Sequence, residues 1–418
     1  MKKIKLSPIL LLLLLIGVPI SIKAQEDSTL LTIDKAVDIA LDKNGSIQVS
    51  HYEIERQKVL KSTALNIDKT NFDFSYGQIN TVENDFGFTI NQSFQFPTVY
   101  GKQSKLADAK VRNSELQLTV SENELKKEVK SVWLHLAYLH EREELLLYQD
   151  SIYDRFNDAS KVRYETHEAS FLEQANAEVQ LMEIQLELDQ NDADINIYKN
   201  KLQTLLNIDY VVDVVATKDL EKRVIEIRAD TFELSDNPML NYFLYQTALI
   251  EQEKAVQKSE NLPEFRVGYF NISMIGYQEV DNKSRYFGST DRFTGVSFGI
   301  DIPIWFKANT ERVKATELEK MKAEAEANYY QTQLIGEFNR VVQEYRKLKS
   351  GIEYYEAKGL PQAVLILDDA QKSFEQGVIN YVEFVHSVDA VLVIRYRYLQ
   401  MLNEYNQSVI AVEYLIGR

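Results

Sequence analysis

The 418-residue chain contains no cysteine, which excludes disulfides, thiolate chemistry and acylation as a lipoprotein. With only 7 prolines and 15 glycines, it has few residues that break regular structure, so long uninterrupted elements are expected. Long apolar runs are missing too. The main one, Ile9 to Val18, follows MKKIK and stops at Pro19 ahead of SIKAQ, the layout of a secretory signal cleaved after Ala24. About ten apolar residues cannot cross a hydrocarbon layer that requires about 20 in a helix. No later stretch approaches that length, so a bilayer would be entered only as β-structure. Cationic charge is in deficit: 47 Lys and Arg against 63 Asp and Glu give a formal charge of −16, which argues against a nucleic-acid partner. Phosphate loops, HExxH spacing and nucleophile elbows are likewise missing, and neither an enzyme nor a cofactor is expected. His135 and His140 are five apart and share no ligand face, while His51 and His167 lack matching partners, so no metal site is expected.

What the chain does contain is a plan that occurs twice. NFDFSYG at 71–77 returns as EFRVGYF at 264–270, and the same offset carries Asn44-Gly45 onto Asn237-Pro238. FTINQSFQFP, ending at Pro97, corresponds to SFGIDIP, ending at Pro303, and RYETHEASFLE corresponds to SFEQGVINYVE. Both halves close alike, on Leu-Leu-Asn (205–207) and Leu-Ile-Gly (415–417). The offset widens mainly between the two strands of a pair, which puts the extra length in a hairpin loop. An internal repeat of this size constrains the fold before any single residue does. The expected organisation is a signal at 1–24, a first repeat at 25–207, a linker at 208–235 and a second repeat at 236–418.

Each repeat reads as helix, strand, strand, very long helix, return helix. Strands are expected near 70–77 and 86–96, then near 264–272 and 294–303. Phe72, Phe74 and Tyr76 alternate with Asp73 and Ser75, and Val296, Phe298 and Ile300 alternate with small residues. Period two with one aromatic-rich face suits a strand between lipid and a watery lumen, although a soluble two-layer sheet alternates in the same way. Tyr100, Trp305 and Phe306, just past the strands, suit a membrane interface. Four strands cannot close a barrel, and open edges are not tolerated in lipid, so chains must assemble.

Helical spacing of apolar residues predicts an opening helix over about 33–65, long helices over 98–163 and 307–372, and return helices over 171–206 and 381–416. A 66-residue helix spans roughly 100 Å. Pro361 predicts a kink in the second long helix alone, because the corresponding position in the first is Ser151. An elongated coiled coil shares the helical periodicity but not the paired strands inserted at the same place in each half.

LTIDKAVDIALDKNGSI at 31–47, the corner Pro97-x-x-x-Gly101 and FEQGVINYVEFVHSVDAVL at 374–392 together resemble the TolC family of outer-membrane efflux and secretion channels. Gly45 replaces the proline of the family's opening pattern, which returns at Pro238, and the second corner, PIWFKAN, lacks the glycine. The resemblance implies a mixed α and β membrane protein that forms a homotrimer. Twelve strands would make one outer-membrane β-barrel, continuous with a long periplasmic α-helical barrel. A periplasmic adaptor and an inner-membrane RND-type pump would be the partners, with outer-membrane lipid around the barrel. The length of the chain is more like the heavy-metal-efflux (CzcC-like) branch than the longer drug or protein exporters. An exit duct for polypeptides and a periplasmic scaffold outside the bilayer are the competing readings.

The resemblance also places the two periplasmic tips at YETHEAS (164–170) and FEQGVIN (374–380). Arg163, Tyr164, Glu165, Phe374 and Gly377 become candidates for closing the tip and contacting the adaptor. Glu383 and His386 take the positions of constricting rings in the lumen, with Glu173 and Asn176 as their first-copy equivalents. Residues three apart share a helix face, and a histidine ring would titrate near pH 6 to 7 if unperturbed.

Overall fold

The computed structural model describes residues 29–214, 221–225 and 236–418. The expected signal at 1–24 and residues 215–220 and 226–235 of the expected linker lie outside the described residues. The described residues are mostly helical, with a four-stranded sheet at one end, a two-stranded hairpin in one of its loops and a minimal two-stranded sheet at mid-length.

The opening helix expected over about 33–65 is two helices, α1 (Ile33–Lys43) and α2 (Gly45–Lys61), with a 3-10 turn to Ala64. Asn44 makes the break. Its extended backbone (ψ 131°) ends α1, while its side chain accepts from the Ser46 amide at 2.9 Å and so caps α2. Asparagine competes with the helical backbone in this way, and Gly45 adds the entropy cost of a flexible residue. β1 (Thr29–Leu31) precedes α1 and pairs in parallel with β4 (Val212–Val214). Three-residue strands carry too little periodicity to be read from sequence.

β2 (Asn71–Gly77), β3 (Asp85–Phe94), β5 (Glu264–Ile272) and β8 (Phe293–Asp301) form an antiparallel sheet in the order β2-β3-β5-β8. Register aligns the alternation of all four strands. Phe72 lies opposite Ile90, Ile90 opposite Tyr269, and Tyr269 opposite Val296, so one face is apolar across the full width. Asn71, Asn91, Gly268 and Ser297 form the matching row of the other face. Both turn loops lie at the end of the sheet away from the helices. The longer one contains an unexpected hairpin, β6 (Gly276–Val280) with β7 (Lys283–Phe287), turned at Asp281 and Asn282, whose φ values of 50° and 57° suit a tight hairpin turn. It occupies the site where the sequence placed the extra length.

From the other end of the sheet the helices depart. α3 (Pro97–Glu165) runs 69 residues with Pro97 in its first turn, where the missing N–H costs nothing. It is followed by α4 (Phe171–Leu206). α5 (Pro238–Ser259) precedes the β5–β8 segment, and α6 (Lys307–Tyr354), α7 (Leu360–Glu375) and α8 (Tyr381–Leu415) follow it. α3 packs against α2, α4, α5 and α8, so the first long helix is the spine of the chain. The main core lies midway along it, where Trp133, Leu136, Leu202 and Val409 gather with β1 and β4. The Trp133 indole donates to the Leu31 carbonyl at 2.9 Å, holding the N-terminal strand against α3.

The second long helix departs from the α pattern just before Pro361. Residues 355–359 form a π turn, with the Leu360 amide reaching back to the Tyr355 carbonyl. The widened turn accommodates a proline that has no N–H to give to the preceding turn. α3 passes Ser151 without interruption.

Candidate functional site

The tip farthest from the sheet is built from two helix–turn–helix corners. In the first, the Glu168 amide bonds the Arg163 carbonyl at 2.7 Å and the His167 amide bonds the Tyr164 carbonyl at 3.0 Å. His167 takes the left-handed conformation, at φ 66°. The second corner repeats this pattern with Val378 to Ser373 at 2.8 Å and Gly377 to Phe374 at 3.0 Å, and Gly377 has φ 72°. The candidate Gly377 is therefore the residue that permits the turn. The return helices start on side-chain caps, Ser170 accepting from the Glu173 amide at 3.2 Å and Asn380 from the Glu383 amide at 3.0 Å.

The acidic candidates are used differently in the two corners. Glu173 pairs with Arg163 at 2.7 Å, tying the end of α3 to the start of α4. Residue 373, at the position corresponding to Arg163, is serine, and Glu383 instead turns its carboxylate back to accept from the Asn380 amide at 2.9 Å, completing a capping box. Glu383 and His386 are both exposed, one turn apart, and Asn176 is exposed on α4. Charge on Glu383 thus stabilises its own helix start whether or not it also faces a lumen.

Of the aromatic candidates, Phe374 joins a cluster and Tyr164 does not. Phe374 packs on Phe384 and Tyr381 at ring separations of 5.0 and 5.4 Å, and Tyr381 stacks on Phe156 at 5.2 Å. Among the described residues, the aromatic ring Tyr164 meets is that of its own hairpin neighbour Phe171, edge-on at 6.0 Å. Glu165 is exposed. Sequence reasoning missed a polar link between elements near the tip, a hydrogen bond from the Tyr153 hydroxyl to Asp389 that joins α3 to α8. Burial and the adjacent carboxylate push the Tyr153 hydroxyl well above its ordinary pKa. It also missed the exposed apolar residues Phe171, Leu172 and Val378 at the corners, although FL directly after the Ser170 cap was a readable signal.

Midway along the bundle, His140 Nε2 lies 2.8 Å from Asp213 of β4, and His140 Nδ1 lies 3.4 Å from Glu143. Lys199 of α4 reaches Asp213 at 2.6 Å. The hydrogen bond to Asp213 raises the His140 pKa against the cost of burial. Asp213 is held below the carboxylate range because His140 and Lys199 outweigh its burial. His135 sits instead between Tyr198 and Tyr138, at 4.3 and 5.5 Å, and burial lowers its pKa. The two histidines serve separate packing sites. Among the described residues no group of three or more His, Asp or Glu side chains is placed to hold a metal ion.

At the sheet, the apolar face is bare. Phe298 is 81% exposed, Tyr76 75% and Phe74 72%. Trp305 at 88% and Phe306 at 63% continue this surface past β8. Tyr100 is half-buried, and its hydroxyl accepts from the Gln95 amide at 3.1 Å, which fixes the strand-to-helix corner. The opposite face carries small and polar residues over its helix-end half, with an Arg266–Asp301 ion pair there, and Phe270, Ile272 and Phe293 toward the loops. Among the described residues no helix is long and apolar enough to cross a membrane.

No family model matches the sequence, and no curated protein matches it. Solved structures do match. The outer-membrane channel CmeC of Campylobacter jejuni aligns with a TM-score of 0.73 at 14% identity, over 92% of this chain and 85% of that one. CusC, described for its folding and transmembrane channel formation, aligns at 0.72 and 12% identity over 92% of both chains. The outer-membrane protein VceC of Vibrio cholerae aligns at 0.70 and 12%, over 92% of this chain and 96% of that one. The chain has the fold of the TolC-type outer-membrane channels.

Proposed function

We propose that three copies of this chain form an outer-membrane channel, a passive duct through which an inner-membrane RND-type pump, working with a periplasmic adaptor, expels small solutes. The observation that carries this reading is the β2-β3-β5-β8 sheet: three strands of 9 or 10 residues and one of 7, one face dominated by exposed aromatic and aliphatic side chains, a more polar face behind it, and two edges without a partner among the described residues. Such edges are not tolerated in lipid, so the sheet closes on copies of itself. β2 and β8, the outermost of four alternating strands, run in opposite directions, so a seam between copies has the same antiparallel pairing as the interior of the sheet. Twelve strands and the attached helices then give a barrel standing on a tunnel about 100 Å long, from 69 residues of α3 at 1.5 Å each.

A duplicated unit underlies this plan. Asn44 caps α2 and donates to the Leu205 carbonyl at 2.8 Å, and Asn237 caps α5 and donates to the Leu415 carbonyl at 3.0 Å. Asn207 and Gly417 follow these helix ends with φ of 49° and 74°. One asparagine thus clips the start of each opening helix to the end of each return helix. The exposed tip residues Phe171, Leu172 and Val378, with Arg163, Tyr164 and Glu165 beside them, are the surface offered to the adaptor. Glu383 and His386 lie one turn above it as lumen rings.

The test is to express the chain with its signal and assay outer-membrane fractions for a heat-modifiable trimer, then for step conductances in planar bilayers. Release by osmotic shock as a soluble rod would overturn the membrane assignment and favour a periplasmic scaffold. Growth of a deletion strain on divalent metals and on organic toxicants decides the solute class, and a secretion defect without either sensitivity would point to polypeptide cargo.

A further inference from the structure

The inner face of the sheet is not uniformly polar. Near the helices it carries Glu264, Arg266, Ser93 and Asp301, and at mid-height Asn91, Gly268 and Ser297. At the loop end it changes character. Phe270 and Ile272 of β5 alternate with the lipid-facing Val267 and Tyr269, so they point inward, and Phe293 pairs with Ile272 from β8. Phe287, at the root of the β6–β7 hairpin, packs on Phe293 with ring centroids 5.4 Å apart. All four side chains are partly buried and partly open.

Glycines make room for them. A Cβ at Gly295 would collide with the Phe270 ring, and one at Gly87 would come within 2.9 Å of Ile272. The apolar side chains therefore lie along the wall, as a lining and not a plug. The region is also fixed in place. Buried Asp85 accepts from the Ile275 amide at 2.7 Å and from the Asn80 amide at 3.0 Å, joining the bases of both outer loops. Arg292 donates to the Asn271 side chain at 2.5 Å and to the Phe86 carbonyl at 3.2 Å. Hydrophilic lining would have required none of this paired small-and-large arrangement, since Ser, Thr and Asn serve lower on the same strands.

We propose that Phe270, Ile272, Phe287 and Phe293 form an apolar binding collar at the outer mouth of the lumen, whose ligands are organic solutes with an aromatic or aliphatic face. The inference rests on the trimeric channel reading, in which three copies place twelve such side chains around one opening. The collar holds solutes through apolar contact as they leave, and it is a poor surface for small hydrated ions, which cannot shed water there. Transport of amphiphilic organic compounds is accordingly favoured over transport of bare metal cations.

The experiment uses full-length channels in planar bilayers, in an R163A/Y153F background so that the tips do not limit current. Crystal violet, an aromatic cation, is the probe added on the loop side. Reversible block of potassium chloride current is expected, weakened about tenfold or more by F270S/F293S, the worth of at least one aromatic contact. Ser fits beside the serines and glycines already on that face, and F298S, on the lipid face, is the control that should leave block unchanged. Equal block in the parent and F270S/F293S channels, or equal weakening by F298S, overturns the collar. Step conductance with a heat-modifiable trimer upholds the channel reading independently, so the collar can fail alone; lack of both removes the channel and the collar with it.

Discussion

Two residues near the tip and the bundle centre report on how the chain holds itself. Tyr153→Phe removes the hydroxyl that links α3 to Asp389 on α8. A buried hydrogen bond to a charged group is worth about 1.5–3 kcal/mol, so local opening near 150–156 and 385–389 should become roughly tenfold or more frequent by hydrogen exchange, with the far end unchanged. Unaltered protection there would deny Asp389 that role. His140 adds a pH dependence. Its folded pKa lies above the unfolded value of 6.5, so its contribution is complete below that value and is lost as pH rises through the folded pKa. Asp213 works the other way, contributing above the unfolded 3.8 and losing the contribution as pH falls through its lower folded pKa. Between these limits, with Lys199 and Glu143 also facing the pair, the wild type should exceed His140→Gln in Tm most at about pH 5.5. The difference should shrink toward pH 8.5, as thermal melts across that range would record.

The asparagine clips that open α2 and α5 differ in burial, and their substitutions should differ accordingly. Asn237 is buried, so Asn237→Ala leaves the Leu240 amide and the Leu415 carbonyl without partners and should cost about 2–4 kcal/mol. Asn44 is only partly buried, and Asn44→Ala should cost about 1 kcal/mol; denaturant melts that rank the two in reverse would contradict the capping account. Asn44 also shows why the helix inventory was only partly legible. Apolar spacing continues across it, so periodicity alone carried one helix through a position where a local side-chain bond ends it. The long helices were legible because the spacing persists for tens of residues with few breakers. Pro361 marked where the second would change, but the form of the change, a π turn, depends on how neighbouring carbonyls find donors, which no spacing encodes. β1, β4 and the β6–β7 hairpin were missed because short strands depend on what they meet. The two helix–turn–helix corners were marked by the duplicated segments 163–173 and 373–383, and Asn380 three residues before Glu383 already spells a capping box, a signal the lumen-ring reading of Glu383 passed over.

At the scale of the whole molecule, the proposed channel requires the two faces of the sheet to meet different solvents. Phe298→Arg puts a charge on the bare apolar face, where the cost at the middle of a bilayer is about 2–4 kcal/mol per chain and recurs in each copy. The variant should be lost from the outer-membrane fraction and degraded, while Ser297→Lys, one residue away on the inner face, should assemble. Equal behaviour of the two, read on fractionated membranes, would mean that the sheet does not sit in lipid. The open edges at β2 and β8 have a genetic consequence. If every subunit must lend both edges to its neighbours, a defective subunit that still pairs enters mixed rings. With equal expression, only about one ring in eight would be free of it. Alleles that damage the lumen or the tips but spare the sheet should therefore be dominant over the wild-type gene, whereas alleles that destroy the sheet should be recessive.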